Sequence, residues 1–123
     1  MEFDGLSRTV IGSAIEVHRQ LGPGLLESVY QRCLAYELSS AGLLVEVERA
    51  IGIRYKDIDL DCGFRIDMLV ERTLIVEIKA VEAWLPVHEA QVLTYLKLSG
   101  LKTGLLLNFN SRSMRHGIRR IVL

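Results

Sequence analysis

The segment Phe64-Arg65-Ile66-Asp67-Met68-Leu69-Val70-Glu71-Arg72-Thr73-Leu74-Ile75-Val76-Glu77-Ile78-Lys79-Ala80 limits what this chain can fold into more than any other feature. Ile66, Met68 and Val70 alternate before the polar break Glu71-Arg72-Thr73, and Leu74, Val76 and Ile78 alternate after it. A period of two marks strands whose faces differ. A hairpin centred on Arg72 puts those six residues on one wholly apolar face, while Asp67, Glu77 and Lys79 share the other. Asp67 then lies directly across from Glu77, and Arg65 across from Lys79. A slip of one residue would turn the apolar set out to water, so the register is pinned.

Directly opposed side chains of an antiparallel pair sit about 4.5–5.5 Å apart, and like charges placed there repel. A divalent cation between Asp67 and Glu77 removes that conflict. Two carboxylates, with water and phosphate oxygens completing the shell, describe a magnesium site. Lys79 adds an ammonium beside it, suited to orienting or deprotonating an attacking water or to stabilising charge on phosphorus. The same spacing also suits a surface salt-bridge cluster of Asp67, Glu77, Lys79 and Arg65, worth little stability. Spacing alone leaves these two readings level.

Around this segment the pattern is helical at first. Leu6, Val10, Ala14, Val17 and Leu21 recur at steps of three and four, predicting a helix over about 5–20 that Gly22-Pro23-Gly24 stops. A second helix, over about 25–41, gathers Leu26, Val29, Tyr30, Cys33, Leu34, Leu38 and Ala41 on one arc before Gly42 ends it. The glycines between the helices read as a helix-breaking turn rather than a phosphate-binding nest. From Leu43 to Ala80 the period becomes two, with breaks near Lys56-Asp57 and Glu71-Arg72-Thr73. A third helix follows, with Pro86 near its first turn and Gly100 past its end, then a Leu-rich strand over Lys102 to Asn108 and a short one over about Gly117 to Val122. The order αα-ββββ-α-β-β predicts an α/β fold, a mixed β-sheet flanked by helices.

With 123 residues, half of them hydrophobic, the chain suits one domain over residues 1–123. No apolar run approaches the ~20 residues of a membrane span, and the start Met1-Glu2-Phe3-Asp4 is acidic where a secretory signal would be basic. A cytoplasmic protein with no membrane partner is expected. Cys33 and Cys62 lack metal-ligand or disulfide-framework spacing and read as small buried apolar side chains. The formal net charge of zero argues against holding nucleic acid by bulk electrostatics alone. Its distribution is uneven. Residues 1–89 carry fifteen acids and nine bases, a net of −6, whereas residues 90–123 carry no acid and six bases: Lys97, Lys102, Arg112, Arg115, Arg119 and Arg120. That last third reads equally as a phosphate-facing surface, with Arg115 and Arg119 as substrate contacts, or as a solvated basic end.

Asp67 on one strand and Glu77-Ile78-Lys79 on the next resemble the PD-(D/E)xK nuclease superfamily, with Ile66 where the motif's proline often stands. Gly24-Leu25-Leu26-Glu27-Ser28-Val29-Tyr30 resembles the G-x-x-E-x-x-Y signature of a small family within it, the GxxExxY proteins. Gln91-Val92-Leu93-Thr94-Tyr95 is similar to the Q-x-x-x-Y element of the RecB-type branch. The resemblance covers nearly the whole chain. It implies a restriction-endonuclease-like fold and metal-dependent hydrolysis of phosphodiester bonds in DNA. It also implies Asp67, Glu77 and Glu27 around Mg²⁺ or Mn²⁺, with Lys79 positioning water and Gln91 and Tyr95 at the rim.

On a helical wheel Glu27 falls beside Leu34 and Leu38 at the edge of the apolar arc, where a carboxylate needs a partner; complementing the helix dipole is its plainer role. His88 shares a helical strip with Gln91 and Tyr95. It reads either as a substrate phosphate contact or as a helix-start residue with a local hydrogen bond. His18 and His116 read as structural, and Trp84 as a hydrophobic cover over the helix start rather than a base-stacking platform. The competing expectation is a catalytically silent nucleic-acid-binding or protein-interaction module on the same fold. A homodimer is expected from the limited footprint of so short a chain.

Overall fold

The computed structural model describes residues 4–123, the side chain of Cys62 excepted; the acidic start Met1–Phe3 and the reading of Cys62 as a buried apolar side chain lie outside the described residues. Helix α1 (Gly5–Leu21) begins where the Asp4 carboxylate accepts the Ser7 N–H at 2.7 Å, and it buries Val10, Ala14 and Val17. Helix α2 (Glu27–Ser40) starts two residues later than the pattern suggests. The intervening loop is held by Tyr30, whose hydroxyl donates to the Gly22 carbonyl at 2.6 Å and accepts the Leu25 N–H at 3.1 Å. Gly24, at φ 101°, takes a backbone conformation that side-chain-bearing residues avoid. These observations fit a helix-breaking turn.

The strands are β1 (Val45–Tyr55), β2 (Ile58–Val70), β3 (Leu74–Lys79), β4 (Thr103–Asn108) and β5 (Ile118–Val122), in spatial order β1-β2-β3-β4-β5. Between α2 and the third helix there are three strands where four were expected, because β2 runs unbroken for 13 residues. Only β3 and β4 are parallel, joined by the crossover helix α3 (Pro86–Ser99). This is the mixed sheet flanked by helices that the sequence predicts.

Each sheet face carries a core. On one, Val10, Ala14, Val17, Leu34 and Leu38 of α1 and α2 pack on Met68, Val70, Val76, Ile78, Leu105 and Leu107. On the other, Val92 and Leu96 of α3 pack on Leu69, Ile75, Leu106 and Ile121. The central parallel strands are therefore covered on both sides, which explains why β4 reads as continuous leucine rather than as an alternation. At Gly104 a Cβ would lie 2.6 Å from Cγ1 of Val92, so α3 reaches the sheet only because that position has no side chain. Cys33 is half-buried against the first core and is a free thiol. No helix among the described residues is long and apolar enough to cross a membrane.

Two details of the hairpin differ from the simple alternation. Ile66 packs with Leu69 and Ile75 on the α3 side instead of sharing a face with Met68. The β2–β3 ladder pairs Val70 with Leu74, Leu69 with Ile75 and Met68 with Val76, and then ends, so Arg65 pairs with Ala50 of β1 and not with Lys79. Both follow from one event. β2 leaves β3 at Asp67 while β3 continues alongside β4, and Glu48, the residue of β1 facing this point, takes φ 49°. The sheet forks there.

Candidate active site

Asp67 and Glu77 fill the fork. The hairpin register is the one that sets them opposite each other, but no ladder hydrogen bond joins their backbones. Each carboxylate instead takes an amide of the opposite strand. The Asp67 N–H donates to Oε1 of Glu77 at 3.0 Å, and the Ile78 N–H donates to Oδ2 of Asp67 at 2.8 Å. Two acids thus replace the backbone pairing that the fork removes, satisfying amides that would be costly to leave unpartnered.

Glu77 is only 4% exposed. Burial first, and then the adjacent Asp67 charge, push its carboxyl up to about 8, against the opposing pull of the Lys79 ammonium. The two carboxyls are close enough to share a proton. Such a pair, with Glu77 buried and Asp67 half-buried, is neutralised by a proton or by a cation. Hard oxygen donors facing one another suit a divalent ion, which relieves the repulsion that the proton otherwise relieves. Among the described residues no three His, Cys, Asp or Glu side chains form a ready cage. The structure brings two predicted metal ligands together and ties the third, Glu27, to the backbone just past Lys79. From the first turn of α2 its Oε2 accepts the Ala80 N–H at 3.1 Å, directly after Lys79.

Tyr95 of α3 closes the α3 side. Burial, followed by the charges of Glu77 and Asp67, raises its phenol, while a hydrogen bond from Gln91 pulls it down. Gln91 and Tyr95 thus act as a pair beside the carboxylates, as their four-residue spacing on one helix allows. The Tyr95 ring stacks on Phe64 of β2, centroids 4.2 Å apart and 9° from parallel.

The remaining predicted contacts separate. His88 serves its own helix, its Nδ1 accepting the Leu85 N–H at 3.1 Å, with its ring edge-on to Trp84. This is the local hydrogen bond that was the alternative to a phosphate contact. Arg119 lies on the sheet row that runs from Glu77 through Leu106, two strands and roughly 10 Å away. Its guanidinium sits over the Trp84 ring at 5.5 Å and pairs with Glu89 at 3.5 Å. Arg115 belongs to the 3-10 turn Met114–Gly117 and lines a cavity against α1 with Ile15, His18, Arg19 and Arg112. The acid-free last third is therefore not one surface: Arg119 meets Glu89 on the α3 side, and Arg120 meets Asp4 on the α1 side. His18 is structural, bonded through Nε2 to the Ser111 carbonyl at 2.7 Å.

Sequence reasoning missed Asn108 and Phe109, which follow the leucines of β4. Asn108 bonds both backbone groups of Val81, and the Phe109 N–H donates to the Lys79 carbonyl at 2.9 Å. A polar amide closing an otherwise apolar buried strand was the available signal. Phe64 carried none, since its partner Tyr95 lies on a distant helix.

No curated protein and no solved structure matches the chain. The family model of the PD-(D/E)XK nuclease superfamily matches residues 4–121. That span takes in β1 to β4, all of β5 but its last residue, and both acids with the lysine that follows them, and by it the chain belongs to the PD-(D/E)XK nuclease superfamily.

Proposed function

We propose that this protein is a metal-dependent nuclease that hydrolyses phosphodiester bonds in DNA, with Asp67 and Glu77 holding Mg²⁺, or Mn²⁺ in its place. The observation that carries this reading is the pair of carboxylates crossing the fork, one buried and both too close to be charged together. A cation bound there supplies Lewis-acid polarisation of the scissile phosphate and a more acidic water. The protein's own groups do the rest. Lys79 orients the attacking water and stabilises charge growing on phosphorus. Glu27, anchored on Ala80, adds a third carboxylate at the outer edge of the site. Gln91 and Tyr95 position the substrate phosphate, and Arg119 receives a neighbouring one. The distinct jobs of Gly24, Glu27 and Tyr30 support placement among the GxxExxY proteins, and one sheet shared by both cores supports a single domain.

The test is cleavage of linear, nicked and single-stranded DNA in Mg²⁺ by wild type, Asp67→Asn and Lys79→Met. Loss in both variants is expected. Equal cleavage by all three would assign the activity to another site or to a contaminant. A second reading rests on the two-ligand count: a silent module that binds nucleic acid without chemistry. Binding that falls steeply with salt and ignores added metal would favour it.

A further inference from the structure

We propose that Asn108 is a positioning residue for this site, fixing the backbone after β3 so that the Glu27 carboxylate stays tied to the amide of Ala80, just past Lys79; the inference rests on the cation-binding reading above. The parallel ladder ends at the pair Lys79 and Asn108. Beyond it the Asn108 side chain stands in for the missing strand. Nδ2 donates to the Val81 carbonyl at 2.8 Å, and Oδ1 accepts the N–H of Val81 at 3.0 Å and of Asn110 at 3.1 Å. At 4% exposure those groups have little water to turn to.

The grip has a direct consequence for Glu27. Residues 79 and 81 are fastened from the β4 side, Lys79 through its carbonyl and Val81 through both backbone groups. Ala80 between them presents its N–H to the other side, where Oε2 of Glu27 takes it. Glu27 is otherwise an exposed, rotatable side chain, and this is the bond that fixes where its carboxylate lies. The helix that carries it is fastened by the next residue of β4's extension. Tyr30, one turn along α2, stacks on Phe109 with centroids 4.6 Å apart. Asn108 and Phe109 therefore hold the two sides of the Glu27 contact, one by the strand end and one by the helix. The amide carries a donor and an acceptor side by side, and Asn108 uses both on Val81.

Mn²⁺ affinity, measured by calorimetry on the metal-free chain, tests this without recourse to cleavage. The set is wild type, Glu27→Gln, Asn108→Asp, Asn108→Ser, and each Asn108 variant combined with Glu27→Gln. Asp keeps the shape and the acceptor but loses the donor, and Ser keeps neither reach nor pair, so one variant serves if the other fails to fold. Removing an outer support of a metal ligand typically costs 10–100-fold in affinity. A loss of about tenfold is expected in each Asn108 variant, with little further loss when Glu27→Gln is added, because both changes withdraw the same carboxylate from the ion. Val10→Ala, in the core under α1, should lower the melting temperature and leave Mn²⁺ affinity unchanged. Wild-type affinity in the Asn108 variants, or losses that multiply with that of Glu27→Gln, would overturn the proposal. So would a Glu27→Gln variant that binds like wild type. Wild type binding no Mn²⁺ would instead sink the cation-binding reading itself, and the positioning role with it.

Discussion

Replacing Glu77 with glutamine should stabilise the protein at alkaline pH and abolish the proposed cleavage. The amide retains the oxygen that accepts the Asp67 N–H and offers an N–H toward the Asp67 carboxyl, so the strand contact survives and the like-charge conflict does not. The size of the gain follows from linkage. Glu77 titrates near 8 in the folded chain against an ordinary value of 4.5. Between those two values the folded state holds a proton that the unfolded state has lost. The stability associated with this group is therefore fully present below about pH 4.5 and is lost as pH rises through 8. Each unit of displacement is worth about 1.4 kcal/mol. The Lys79 ammonium lies close by and offsets part of this, so roughly 2–4.5 kcal/mol separates the two proteins at pH 9, within the limit that the full displacement sets. For a chain of this size that corresponds to roughly 8–18 °C in melting temperature. Calorimetry of both proteins in metal-free buffer at pH 5.5, 7 and 9 reads it directly. The gap between Glu77→Gln and wild type should widen with pH. Mg²⁺ at about 100 times its dissociation constant should return roughly 2.7 kcal/mol to wild type alone. A glutamine variant that melts at or below wild type at pH 9, or a gap that narrows with pH, would refute the argument.

Three other substitutions test the frame around the site. Gly104→Ala drives a Cβ to within 2.6 Å of Val92 and should cost about 1–3 kcal/mol, read by urea denaturation, with part of the loss recovered in the Gly104→Ala/Val92→Ala double variant. Tyr30→Phe keeps the stack on Phe109 but strips two hydrogen bonds from the loop before Glu27; a loss of about 1–3 kcal/mol in chemical denaturation is expected, with wild-type melting as the contrary result. His88→Ala removes the acceptor at the start of α3 and should cost about 1 kcal/mol in thermal melts while DNA affinity holds; a large loss of affinity at unchanged stability would return His88 to the substrate surface.

The parts of this site that the sequence made legible are those encoded within a few residues. The register between Asp67 and Glu77 is set by alternation on both sides of one turn, Val70 to Thr73, and Gln91 and Tyr95 lie four apart on a helix. The face of Ile66 was misjudged because alternation assumes a regular ladder, and β2 parts from β3 just there. The extra strand arose the same way, from a meander whose longest strand carries on past its last partner in β3. Contacts that join distant segments left no local mark. Glu27 meets Ala80 across 53 positions and Asn108 meets Val81 across 27, and neither residue type dictates such a partner. The basic final third divides between two sides of the sheet for a related reason. Charge counted along the chain ignores that Arg119 and Arg120 are neighbours on one strand and therefore point to opposite sides, where acids from α3 and from the start of α1 meet them.

Because the two acids at the fork also tie strand to strand, exchanging one oxygen for nitrogen at position 67 or 77 changes the electrostatics and almost nothing else. A lineage built on this scaffold can thus trade the charge at this fork for a neutral amide in a single step without a cost in architecture. Charged and neutral copies would be hard to tell apart by shape, and the identity of a single side-chain atom would carry the distinction.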